Sequence, residues 1–126
     1  MIKMTDRELL EMAAKAIQYE GLRPGADQFP HFPIERKTEH GNWVTWNPLA
    51  DDGDALRLAV KLNMSLHAAL DSGRPPVSAR ALTGEYPDRR ADCSEDHGED
   101  PCAAMRRAIV RAAAEIGRNM KDSSDE

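Results

Sequence analysis

Apolar side chains recur along this chain with two spacings, and each spacing names an element. Leu9, Leu10, Ala13, Ala14 and Ile17 fall three and four apart, the period of one helix face. Thr5 precedes them and Glu8 lies three residues on, a capping box in which each side chain satisfies a free amide of the first turn. Asp6 and Glu8 also suit the positive end of the helix dipole. The spacing predicts a helix over residues 5–20 with Gly21 as its stop. A second stripe, Ala55, Leu58, Ala59 and Leu62, widened by Leu56 and Val60, follows the acids Asp51, Asp52 and Asp54, with Asn63 as its C-terminal residue. A third, Met105, Ala108, Ile109, Ala112, Ala113 and Ile116, follows Asp100 as cap and Pro101 in the first turn, with Gly117 beginning its end. Its alanines permit close approach to a neighbouring element.

Between the helices the pattern shortens towards alternation. Gly21, Pro24, Gly25, Pro30 and Pro33 make residues 21–33 a loop. Ile34 to Trp46 reads as a hairpin around Glu39-His40-Gly41-Asn42. Trp43, Val44, Thr45 and Trp46 form its stronger strand, and Glu35 to Thr38 its polar edge. Two weaker strands are expected near 64–69 and 77–83, joined by the turn Asp71 to Pro76. Residues 84–100 are polar and read as the longest loop. The order is α-β-β-α-β-β-α. The expected class is α+β, a mainly antiparallel sheet covered by three helices in a helix–sheet–helix sandwich. Residues 1–120 form one domain and residues 121–126 a disordered tail.

Length supports this count. The chain has 126 residues, close to the commonest single-domain size, and 40% are apolar. Only six are Trp, Tyr or Phe, so Leu, Ile, Val, Met and Ala must build the core. The net charge of −5 opposes sequence-independent binding to nucleic acid, which needs Lys and Arg to neutralise phosphates. No apolar run is long enough to span a membrane, and the N-terminus has no signal-peptide pattern. Cys93 and Cys102 are then expected as reduced thiols and the location as cytoplasmic.

Three clusters invite chemistry. Trp46 beside Asp51, Asp52 and Asp54 could face a cation or a basic peptide. Equally, Trp46 fills core and the acids cap a helix. The acids lack the alternation of a calcium loop. Cys93, His97 and Cys102 suggest a metal, but the spacing is irregular, and only the fold could bring His31, His40 or His67 in as a fourth ligand, so no metal or cofactor is assigned. Arg107 and Arg111, near Arg106 and Arg118 on the third helix, could contact phosphates or simply face solvent, with Glu115 interrupting them. No nucleophile elbow, phosphate loop or His-Glu-x-x-His occurs, so no catalytic residue is assigned.

Three stretches, Met4 to Leu10 with its Ala-rich continuation, Trp46-Asn47-Pro48-Leu49 running into Asp51 to Val60, and Ala103 to Ile116, together resemble the phage α/β/α-sandwich domain family. The middle stretch, WNPLADDGDALRLAVKL, is the most specific. The resemblance implies a sandwich fold and a phage or prophage setting, and it carries no catalytic residue onto this chain. The reading that follows is a small non-enzymatic domain binding a host or phage protein, with modulation of a defence protein as one version. Its expected surface comprises Trp46, Asp51, Asp52, Asp54, Tyr86, Arg107 and Arg111. The alternative is an accessory nucleic-acid-binding protein using the third helix.

Overall fold

The structure, a computed structural model, describes residues 4–23, 34–68, 78–84 and 90–120. Nine elements follow in these segments: α1 (Asp6–Ala16), β1 (Leu22–Arg23), β2 (Glu35–Lys37), β3 (Trp43–Thr45), α2 (Asp52–Lys61), β4 (Ser65–His67), β5 (Ser78–Thr83), β6 (Ala91–Asp96) and α3 (Pro101–Asn119). The class is α+β and every strand pair is antiparallel. Two strands join the expected four, and the strands divide into two sheets of three, ordered β1-β2-β3 and β4-β5-β6.

Local chemistry explains where the helices start and stop. The Thr5–Glu8 capping box forms as expected, with Thr5 N donating to Glu8 Oε1 at 2.9 Å and Glu8 N to Thr5 Oγ1 at 3.2 Å. These bonds favour the ionised carboxyl and hold the Glu8 pKa below its ordinary value. α1 ends at Ala16, four residues short of the expected end at residue 20: Gln18 and Tyr19 both turn left-handed, and Tyr19 N donates to Ala14 O. The reversal frees Leu22 and Arg23 to pair with Arg36 and Glu35, which makes β1 out of expected loop. Arg23 then stacks 4.2 Å from the centre of the Trp43 ring and donates to Glu35 Oε1.

α2 closes with Asn63 left-handed, Asn63 N donating to Val60 O and Met64 N to Ala59 O, the paired bonds of a Schellman end. α3 starts on Asp100, whose carboxylate accepts from Ala103 N. It does not begin to end at Gly117, as its glycine suggests, but runs to Asn119.

α3 is the hub. It packs on α1, α2, β5 and β6, and nine of its residues are buried, on more than one face. One face meets the inner side of the second sheet, where Ala81 pairs with Cys93 and Thr83 with Ala91. β6 lies within the expected 84–100 loop, and its alternation of buried Ala91 and Cys93 with exposed Asp92 and Ser94 is what seats it there. On the outer side Arg80 grips Asp92 through two bonds of 2.7 and 2.5 Å.

Towards α1 the contact is made of small side chains: Ala13 and Ala14 are fully buried, as are Ala112 and Ala113. A buried Ala contributes one methyl, about 0.8 kcal/mol, against about 1.5–3 kcal/mol for Leu or Ile. The interface therefore depends on close approach. Gly117 sets the limit, because a Cβ there would lie 1.9 Å from the carbonyl oxygen of Met12.

No helix among the described residues is long and apolar enough to cross a membrane. The expected 121–126 tail, the 71–76 turn and the ends of the two weaker strands that adjoin it, residues 69 and 77, lie outside the described residues, as do residues 24–33 of the expected loop.

Candidate functional site: a cationic cleft organised by Asp54

The segment from Trp46 to Asp54 is built inward. Trp46 is 4% exposed and belongs to the core, with its amide donating to Ile34 O at 2.7 Å. Asn47 Oδ1 accepts from Leu49 N, and Asn47 O accepts from Ala50 N and Asp51 N, so the Asn-Pro pair shapes the turn into α2. Asp51 is the N-cap and accepts from Asp54 N at 2.8 Å. Asp52 accepts from Arg106 Nη1 at 2.6 Å, while Arg106 Nε donates to Leu49 O at 2.8 Å. These contacts pin the start of α2 to α3. Of its two readings the segment takes the inward one, with Trp46 in the core, Asn47-Pro48 in the turn and Asp51 as the cap, while the Asp51 and Asp52 carboxylates stay largely exposed.

Asp54 is 2% exposed and carries the strongest constellation. Its Oδ2 accepts from Asn47 N at 2.9 Å, and its Oδ1 accepts from Arg57 Nη2 at 2.6 Å. Arg36 Nε lies 2.7 Å from the same Oδ1, with its N–H off the line of a hydrogen bond, so that contact is Coulombic and the buried donor is left without an acceptor. One carboxylate thus fixes two guanidinium groups, one from β2 and one from α2.

Those arginines line a cleft of about 190 Å³ between the end of α1, β2 and α2. Trp46, Leu58, Ile17 and Leu22 supply its apolar surface, and Lys37 and Lys61 join Arg36 and Arg57 on its walls. Arg57 and Lys61 stand one turn apart on α2, the spacing that puts both on one side of a helix. Glu20 contributes the one acidic side chain of the lining and meets Lys61 at 3.0 Å. That pair is exposed and worth under about 1 kcal/mol, so Lys61 is easily drawn away. Lys37 has no ion-pair partner among the described residues.

The other expected surface residues stand apart from this cleft. Arg107 reaches Asp6 on α1 at 3.1 Å, and Arg111 bonds Glu95 and Ser94 O on β6. With Arg106 on Asp52 and Arg118 near Glu115, each of these arginines of α3 faces a carboxylate of its own chain. Tyr86 lies outside the described residues, as does His31.

Cys93 is buried against the core, and burial pushes its thiol pKa up. Cys102 is exposed on the first turn of α3, and His97 Nε2 sits 2.5 Å from Ala68 O. Among the described residues no three His, Cys, Asp or Glu side chains gather as a metal would need.

Residue reading misses the cleft because its cations come from two separated places. Arg36 and Lys37 look like a polar edge strand, and Arg57 and Lys61 like a solvated helix face. The signal available was the lone acid Asp54 within the apolar stripe of α2. A comparison with protein-family models, curated proteins and solved structures finds no match for this chain.

Proposed function

We propose that this chain is a small phage-type protein-binding domain, acting in the bacterial cytoplasm by docking on a host or phage protein. The phage setting rests on the sequence resemblance. The docking reading rests on one observation: Leu56 and Val60 are 57% and 68% exposed, one turn apart on α2. Both ends of that helix are fixed, by the Asp51 cap and the Schellman turn at Asn63. A rigid helix presenting two large apolar side chains loses little entropy on binding. Covering what remains exposed of both gains on the order of 2–4 kcal/mol before association costs. Arg57 and Lys61 follow Leu56 and Val60 directly in sequence, which suits a partner that brings an apolar contact beside acidic side chains.

The test compares the tagged protein with a Leu56→Ser, Val60→Ser double variant in pull-downs from bacterial lysate. Circular dichroism and melting temperature are matched first, since both positions face solvent. The expected result is a protein held by the parent and lost by the variant. Equal recovery by both, or recovery of the bait alone across several hosts, removes the docking reading.

A further inference from the structure

We propose that the cleft between β2 and α2 is a binding site for a single oxyanion group, a phosphate or a carboxylate, held by Arg36 and Arg57 with Lys37 and Lys61 beside them. The proposal stands apart from docking through Leu56 and Val60.

Charge supports it first. The chain carries −5 overall, yet four of the ten residues lining this cleft are cationic and one is acidic. Adding Asp51 and Asp54, which reach Arg57 from outside the lining, sets three carboxylates against four cations and leaves one positive charge in excess. Preorganisation supports it next. Asp54 is buried and touches both guanidinium groups through one oxygen, so the two arginines are held together before any ligand arrives. Two guanidinium groups sharing one carboxylate keep N–H donors to spare.

Size selects the ligand. A volume of about 190 Å³ falls below the usual range for a drug-sized molecule. It suits one charged group with a short stem resting on Trp46 and Leu58. A nucleic-acid strand is disfavoured, because the net charge of −5 opposes the phosphate neutralisation that binding along a backbone needs.

The probes are inorganic phosphate and acetate, titrated separately into the full chain at constant ionic strength, with backbone amides and the Trp46 indole followed by NMR. The expected result is saturable shifts confined to Arg36, Lys37, Trp46, Arg57 and Lys61. Saturation by phosphate alone identifies a phosphoryl ligand, by acetate alone a carboxylate, and by both a general oxyanion site. Lys37→Gln removes an exposed, unpaired cation without touching the Asp54 network, and it is expected to weaken the binding at least three-fold. Arg57→Gln is expected to weaken it ten-fold or more. The Leu56→Ser, Val60→Ser variant should titrate as the parent does, which separates this site from docking. Linear shifts with both anions, equal to those caused by chloride, would overturn the proposal, as would saturation that Lys37→Gln and Arg57→Gln leave unchanged.

Discussion

Asp54 and Asp51 stand three residues apart at the start of one helix, and burial gives them different work. Asp51 is a half-exposed cap, and its replacement by Ala removes one bond to an amide, a loss of about 1 kcal/mol. Asp54 is buried, and its replacement leaves Asn47 N without an acceptor and Arg36 and Arg57 without their shared anion. Both arginines keep partial access to water, which holds the cost below that of a fully buried broken pair. Urea unfolding should therefore show Asp54→Ala losing about 2–3 kcal/mol, at least twice the loss of Asp51→Ala. Equal losses would mean that Asp54 is only another cap. The acids were legible in the sequence as helix-start residues. The Asp54–Arg36 contact was not, because it joins residues 18 positions apart across a hairpin, and no periodicity encodes it.

At the scale of elements, the three helices were legible because each carries a stripe and an N-terminal cap within one short window, though only α2 ends at its expected stop. β6 was not, since Ala, Asp, Cys, Ser and Glu have weak strand preference and only the alternation at Ala91 and Cys93 hints at it. Gly117 shows how a local signal can mislead. A glycine late in a helix suggests an end, yet here the absent side chain lets α3 touch the backbone of α1. In an exposed helix Gly→Ala is stabilising by about 1 kcal/mol. At Gly117 the added methyl meets a carbonyl oxygen that cannot rotate aside, so the two helices must separate and every Ala contact between them loosens. Gly117→Ala should lower stability by about 2 kcal/mol or more by thermal or urea unfolding. A gain in stability would show that α1 does not sit this close to α3.

For the whole molecule, the position of α3 sets the order in which parts let go. α3 packs on α1, α2, β5 and β6, and Arg106, Arg107 and Arg111 tie it to α2, α1 and β6. Its amides can exchange only when most of these contacts are lost. The β1-β2-β3 sheet is held differently: its strands are two or three residues long and their side chains are half-buried or exposed. Its attachment to the core runs through Ile34 and Trp46, which flank the strands, through Leu22 of β1, and through the Arg36–Asp54 contact. Native-state hydrogen exchange should then find the amides of Ala108 to Ile116 opening with the free energy of global unfolding. Those of Arg36 and Val44, a hydrogen-bonded pair of the ladder, should exchange through a smaller, sub-global opening. Asp54→Ala should widen that gap, because it frees the sheet from α2 while leaving most of the α1–α3 packing intact. Exchange of both regions at one common free energy, in parent and variant alike, would show that the sheet and the helices unfold as a single unit. The cleft would then be only as mobile as the core itself. A smaller free energy for the sheet would instead let Arg36 and Lys37 move relative to Arg57 and Lys61 while α3 stays folded.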